Sequence, residues 1–210
     1  MPSPQPTTNN QQPTTTLFPL VEIFESLQGE GRNTGRPVVF VRFAGCNLAC
    51  PWCDTDVANR FELSLEELVA EVRTHRAKSV ILTGGEPTIQ KGMDELVAAL
   101  KAAGYWIGVE TNGTNEPEWF KSVDYVACSP KAEFPETLRL TRANEVRIVA
   151  SSSSVVDFAR TVRARVAATD YYISPCAHGD DIDFATAKDV LSQLDGFSLS
   201  VQLHKLLGFR

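Results

Sequence analysis

A chain of 210 residues with 43% hydrophobic side chains is long enough for one domain with a substantial core. Its net charge of −6, with no Lys/Arg cluster able to track a phosphate backbone, argues against direct nucleic-acid binding. No apolar run approaches a membrane span, the N-terminus lacks a signal-peptide pattern, and the cysteine count of five is odd. The expectation is a cytoplasmic protein without membrane contact or a disulfide framework.

Residues 1–16 are polar and low in complexity, which predicts a disordered tail ahead of a single domain over 17–210. Leu20 to Phe24 alternates apolar residues with Glu22 and reads as a half-buried strand. Ser26 to Gly35 carries three glycines in ten residues and predicts a loop rich in hydrogen-bonding groups; a solvated turn would look the same. Val38 to Phe43 is a near-continuous apolar run, as expected of a strand buried on both faces. Arg42 is out of place in it and requires an anionic partner.

The next stretch, Gly45 to Thr55, holds Cys46, Cys50 and Cys53 at C-x3-C-x2-C spacing. Clustered thiolates bind metal or carry redox chemistry. A closed structural zinc site takes four ligands, and an iron–sulfur cluster normally takes four cysteines. Three thiols therefore suggest a cluster with one iron left open. A zinc scaffold is the competing reading, but no fourth ligand sits at finger-like spacing.

Further along, Ser64-Leu65-Glu66-Glu67 is a capping-box pattern opening a helix to about His75, itself read as a helix-end surface residue. Ser79 to Leu82 predicts a buried strand running into Thr83-Gly84-Gly85-Glu86-Pro87, where two glycines permit close approach to the backbone. A helix is expected from Pro87 to about Ala103. Strands are expected at Tyr105–Glu110, Val123–Cys128, Glu145–Val149, Tyr171–Ile173 and Gly196–His204, with helices near 153–168 and 182–194. Alternating strand and helix imply a parallel sheet with right-handed crossovers and too few strands for an eight-fold barrel. The polar turns all follow strands. They should surround one site at the strands' carboxyl ends, where such folds bind ligands.

Cys46, Cys50 and Cys53 after the first core strand, with Thr83-Gly84-Gly85-Glu86-Pro87 after the next, resemble the radical S-adenosylmethionine (SAM) superfamily over roughly residues 38–202. The resemblance implies a partial (β/α) barrel of about six parallel strands and a [4Fe-4S] cluster whose open iron is chelated by SAM. One electron then cleaves SAM to methionine and a 5′-deoxyadenosyl radical. A narrower likeness is carried by Leu27-Gln28-Gly29-Glu30-Gly31, Arg42, Asp54-Thr55 and Gln202-Leu203-His204-Lys205. These are similar to the 7-carboxy-7-deazaguanine synthase family, radical lyases of queuosine and deazapurine biosynthesis. That family converts 6-carboxy-5,6,7,8-tetrahydropterin to 7-carboxy-7-deazaguanine with loss of ammonia. The likeness implies Mg²⁺, a homodimer, an N-terminal substrate loop and a reducing donor such as flavodoxin or ferredoxin.

Carried onto these positions, the resemblance gives Cys46, Cys50 and Cys53 to the cluster. It gives Trp52, Cys53, Asp54, Gly85, Ser129, Pro130, Lys131, Ser174, Pro175, Cys176 and Ala177 to SAM, and Thr55 to Mg²⁺. Leu27, Gln28, Gly29, Arg42, Thr83, His204 and the terminal carboxylate of Arg210 would hold the pterin, with Arg42 on its carboxylate. Glu110 and Asn112 either touch SAM or simply end a strand, and Cys128 reads as a core residue. Within the superfamily the alternative is an activating enzyme that makes a glycyl radical on a partner protein.

Overall fold

The computed structural model describes residues 16–53, 55–179 and 181–209. The expected tail therefore lies almost wholly outside the described residues, as do Asp54 and Arg210. Order runs from β1 (Leu17–Leu27) through β2 (Pro37–Phe43), β3 (Phe61–Ser64), α1 (Leu65–Thr74), β4 (Ser79–Gly84) and α2 (Met93–Ala102). It continues with β5 (Trp106–Thr111), β6 (Tyr125–Cys128), β7 (Glu145–Ala150), α3 (Val155–Arg165) and β8 (Asp170–His178). Last come β9 (Asp181–Asp183), α4 (Phe184–Ser192), β10 (Ser198–Leu199) and α5 (Leu203–Leu207).

The strands form one sheet in the order β10-β8-β7-β6-β5-β4-β2-β1-β3, with β9 paired to β8 off the path. β2, β4, β5, β6, β7 and β8 run parallel, β10 adds two parallel residues at one edge, and β1 and β3 extend the other edge antiparallel. The sheet does not close, so this is the partial barrel expected of the sequence. Among the described residues no helix is long and apolar enough to cross a membrane.

The pleat decides which side chains reach the site. In β2, Val39, Val41 and Phe43 are fully buried in a core with β4, β5, α1 and α2, whereas Phe40 and Arg42 point to the other face and stay partly exposed. In β7, Val146, Ile148 and Ala150 pack into a second core with α3 and α4. The alternate residues Arg147 and Val149 join Phe40 and Arg42 in lining the cavity. The expectation that β2 is buried on both faces therefore gives way: its inner face meets a cavity, which removes the oddity of an arginine there. α1 begins as predicted, with Ser64 Oγ accepting the Glu67 amide at 3.3 Å and Glu67 Oε2 accepting the Ser64 amide at 2.8 Å.

Three predicted elements change. The helix expected from Pro87 is a short 3-10 turn over Pro87–Ile89, and α2 starts only after Gly92, whose left-handed φ of 73° breaks the path between them. β8 runs on through the expected exit loop, because Ser174 and Pro175 still pair with Val149 and Ala150 and the strand then turns back into β9. The final strand shrinks to two residues. Ser200 Oγ accepts the Gly31 amide and the Leu203 amide donates to Gly29 O, so the chain leaves the sheet for the loop after β1 and coils into α5. His204 is thus a helical residue, not a strand end.

Candidate active site

The carboxyl ends of β2, β4, β5, β6, β7 and β8 open into a cavity of about 960 Å³. That is the upper end of ordinary ligand pockets, roughly 300–1,000 Å³, and large enough for more than one small molecule. It gathers polar turns far apart in sequence, as the strand-end convergence predicted.

At one side lies the cysteine loop. Cys46 and Cys50 are partly buried and Cys53 is exposed, and all three line the cavity. The loop is pinned at several points. The Gly45 amide donates to Val57 O at 2.8 Å and the Glu86 amide donates to Gly45 O at 3.0 Å. Asn47 donates to Thr114 Oγ1 at 2.8 Å and accepts from Asn112 Nδ2 at 2.9 Å, so the Asn-Gly turn after β5 braces the loop from below. Burial pushes the Cys46 and Cys50 thiols up; the Leu48 amide on Cys46 and Lys131 near Cys50 offset part of that.

The donor set fits an iron–sulfur cluster with one iron left open: three free thiols on one loop, all on the cavity wall, and no fourth cysteine beside them in that loop.

The Gly-Gly turn presses directly on this loop. A Cβ on Gly85 would lie 1.7 Å from Gly45 O, and one on Gly84, at φ 119°, would meet the Phe43 backbone at 2.2 Å. Only bare backbone fits between β4 and the cysteine loop. Gly85→Ala should therefore destabilise the fold by about 1–3 kcal/mol or more, because the obstacle is backbone that cannot rotate away. Each kcal/mol lowers Tm by roughly 2–4 °C in a chain of this size. Thermal unfolding of the cluster-free variant measures it, and an unchanged Tm would contradict the packing.

Glu86, in the same turn, is fully buried and fully engaged. Its carboxylate accepts from Thr88 N and Oγ1, Thr111 Oγ1 and the Asn112 amide, all between 2.7 and 3.0 Å. Glu86 therefore ties the end of β4 to the turn after β5 and keeps no lone pair turned to a ligand.

Within the cysteine loop, Trp52 donates its indole N–H to Glu133 Oε1 at 2.7 Å, which also accepts from Ser151 at 2.9 Å. The Lys131 ammonium lies 5.1 Å from the Trp52 ring and donates to Ser129 Oγ at 2.8 Å. Ser174 Oγ is buried on the cavity wall without a hydrogen-bond partner among the described residues, an acceptor and donor available to a ligand.

The far side is a charged floor that the sequence did not reveal. Glu110 Oε1 accepts from Gln28 Nε2 at 3.0 Å and Arg147 Nη2 at 2.8 Å, and Oε2 accepts from Thr83 at 2.9 Å. Burial opposes the Glu110 charge, but Arg147 and these hydrogen bonds outweigh it and hold the carboxyl at about 2, so it is an acceptor-only group at neutral pH. Arg42, beside Thr83 in the β2–β4 register, takes Glu22 Oε1 on its Nε at 2.8 Å. Thr83, Glu110, Arg42 and Arg147 all line the cavity.

Of the residues expected at the site, Leu27, Gln28, Arg42, Cys46, Cys50, Trp52, Cys53, Thr55, Thr83, Gly85, Ser129, Lys131, Ser174, Pro175, Ala177 and His204 line this one cavity. Three expected residues are not on its wall. Gly29 lies behind it, against the His204 ring, where a Cβ would come within 2.6 Å of Nδ1. Pro130 is buried after β6, and Cys176, 2% exposed, is buried in β8 off the cavity's lining. Cys128 is a core thiol beneath Gly113, pushed up to about 12 by burial. Glu30, Glu133 and Arg147 were missed. Nothing local marks them, since each takes its meaning from partners 18 to 117 residues away.

Comparison with known proteins points the same way. Residues 40–151 match the Radical SAM superfamily. The chain is 42% identical over 209 residues to a 7-carboxy-7-deazaguanine synthase of Neisseria meningitidis serogroup B, covering 95% of this chain and 97% of that one. It is 42% identical over 200 residues to the enzyme of that name from Haemophilus influenzae, covering 91% and 93%. The crystal structure of QueE from Escherichia coli superposes with a TM-score of 0.70 at 25% identity, over 90% of this chain and 95% of that one.

Proposed function

Because the chain belongs to the 7-carboxy-7-deazaguanine synthase family of radical SAM enzymes, we propose that its cavity converts 6-carboxy-5,6,7,8-tetrahydropterin to 7-carboxy-7-deazaguanine. The observation that carries this reading is the pairing, in one cavity, of three thiols at one wall with an arginine and a half-buried carboxylate at the other. The first wall suits a cluster and the second suits a carboxylated heterocycle.

Cys46, Cys50 and Cys53 would hold a [4Fe-4S] cluster, and the bare Gly84-Gly85 backbone, Trp52, Ser129, Lys131 and Ser174 would hold SAM. Bound there, the cluster and SAM together supply the one-electron cleavage that abstracts a hydrogen atom from the substrate. The chain's own residues do the rest. Glu110 keeps its charge and, with Gln28 and Arg147 on Oε1 and Thr83 on Oε2, has an acceptor site left on Oε2 for an N–H or amino donor of an aminopyrimidinone ring. Thr83 and Gln28 fix that carboxylate's orientation. Arg42 has its Nε on Glu22, so its Nη groups are left to form a two-pronged contact with the substrate carboxylate. Thr55 would give Mg²⁺ one oxygen, with substrate carboxylate and water supplying the others. His204, on α5, closes the pocket over the loop after β1. Asp54 and Arg210 keep the SAM and substrate roles that the family likeness implies. The enzyme would work in the cytoplasm as a homodimer, reduced by a donor such as flavodoxin or ferredoxin.

The test is turnover by the chain alone. Reconstituted anaerobically with iron and sulfide, then given SAM, Mg²⁺ and a reductant, the protein should consume carboxytetrahydropterin and release one ammonia per product, with no partner protein present. SAM cleavage without pterin consumption would instead favour an activating enzyme acting on a protein glycine.

A further inference from the structure

Arg147 is only 5% exposed, yet three carboxylates from three parts of the chain converge on its guanidinium. Nη1 meets Glu30, in the loop after β1, at 2.7 Å. Nη2 meets Glu110, at the end of β5, at 2.8 Å. Nε lies 3.0 Å from Glu145, two residues earlier on β7. Nη1 and Nη2 thus each donate to a carboxylate, while Nε stands within ion-pair distance of Glu145 without a hydrogen bond, so the guanidinium is spent mainly on the protein's own carboxylates. Glu145, 2% exposed, carries the arrangement further: its Oε2 accepts the Arg32 amide at 2.9 Å and the Tyr125 hydroxyl at 2.8 Å. The loop lies so close that a Cβ on Gly31, at φ 65°, would come 2.2 Å from Glu145 Oε1.

Two features separate this from an ordinary stabilising ion pair. Burying charged groups costs more solvation than their attraction commonly returns, so a buried arginine with three carboxylates is poorly explained by stability. The charge is also unbalanced, three negative against one positive, and the two carboxylates that line the cavity are Glu30 and Glu110. The excess is placed where a ligand's N–H donors would meet it.

We propose that Arg147 is a positioning residue for the heterocycle: it sets the spacing of the Glu30 and Glu110 carboxylates on the cavity wall and, with Glu145, holds the loop over residues 28–36 down as the pocket's side. It acts through those carboxylates and not on the reacting carbon. This rests on the pterin reading above. Removing the guanidinium leaves three carboxylates facing one another, and mutual repulsion then drives Glu30 and its loop outward.

The test uses the cluster-loaded enzyme under anaerobic conditions, with Arg147→Gln, Arg147→Lys and Glu30→Gln. In Arg147→Gln the KM for carboxytetrahydropterin should rise about 30-fold, the size expected for lost charged hydrogen bonds. kcat should fall much less, and iron content and the KM for SAM should stay at parental values. Hydrogen exchange of the amides over 28–36 should speed up. Arg147→Lys should restore part of the KM, since it returns the charge but not the three-way fork. Glu30→Gln, altered at the loop end only, should raise the pterin KM and loosen the loop even if Arg147→Gln does not fold. Pterin KM and loop exchange within about twofold of the parent in the variants that fold would overturn the proposal. So would iron loss or a SAM KM that changes in parallel with the pterin KM, since that marks a general structural role. If the parent itself does not turn over the pterin, the failure belongs to the functional reading and not to Arg147.

Discussion

Cys50→Ala should yield a folded, colourless protein with no turnover. Cys50 sits in a loop at the cavity edge, partly buried and outside both apolar cores, so its loss removes a ligand without opening a cavity. Two thiolates cannot hold a cubane that already leaves one iron to SAM. Iron and sulfide analysis after anaerobic reconstitution, with visible absorption, checks the result. The informative control is Cys128→Ala. That thiol is fully buried and its proton is held up to about 12, so its loss should cost stability while the iron complement stays intact. A full cluster in Cys50→Ala would refute the ligand assignment, whatever the activity.

Arg42→Ala should raise the KM for the carboxylated pterin strongly. The loss of a charged hydrogen bond at a partly buried site costs on the order of 2–5 kcal/mol, or roughly 30-fold to several thousand-fold. Glu22, 2.8 Å from Arg42 Nε, adds to the effect, because its negative charge then faces the substrate carboxylate without that arginine. Arg42→Lys should recover only part, since an ammonium cannot keep Glu22 and also present a planar fork. Steady-state kinetics with SAM saturating separates this from damage at the cluster: kcat should change less than KM. Unchanged kinetics in Arg42→Ala would remove that residue from the site.

Much of this was legible in the sequence because the informative patterns are local. C-x3-C-x2-C, Gly-Gly-Glu-Pro and the Ser64–Glu67 capping box each fit within a few residues, and strand–helix alternation fixed the parallel sheet. Arg42 stands out because it interrupts an apolar run. The pleat then explained it, placing it with Phe40 on the cavity face while Val39, Val41 and Phe43 fill the core. What stayed hidden depends on distant partners. Glu110, which the sequence leaves open between a SAM contact and a strand end, takes its place on the cavity wall through Arg147, Thr83 and Gln28, and Glu133 gains a role only beside Trp52. The last strand was overextended because Ser200 and Leu203 spend their polar groups on the loop over Gly29 and Gly31, a tertiary claim that no local pattern announces.

The most direct test of the central claim, that one cavity joins radical generation to pterin chemistry, follows a single hydrogen. Carboxytetrahydropterin carrying deuterium at C6 is incubated anaerobically with the reconstituted enzyme, SAM, Mg²⁺ and reductant, and both SAM and product are read by mass spectrometry. The family likeness implies that the C6 hydrogen is removed and that SAM is re-formed after each turnover, so if the claim holds 7-carboxy-7-deazaguanine forms and deuterium passes into recovered SAM. Unlabelled SAM alongside unconverted pterin, from protein with a full iron complement, would contradict it.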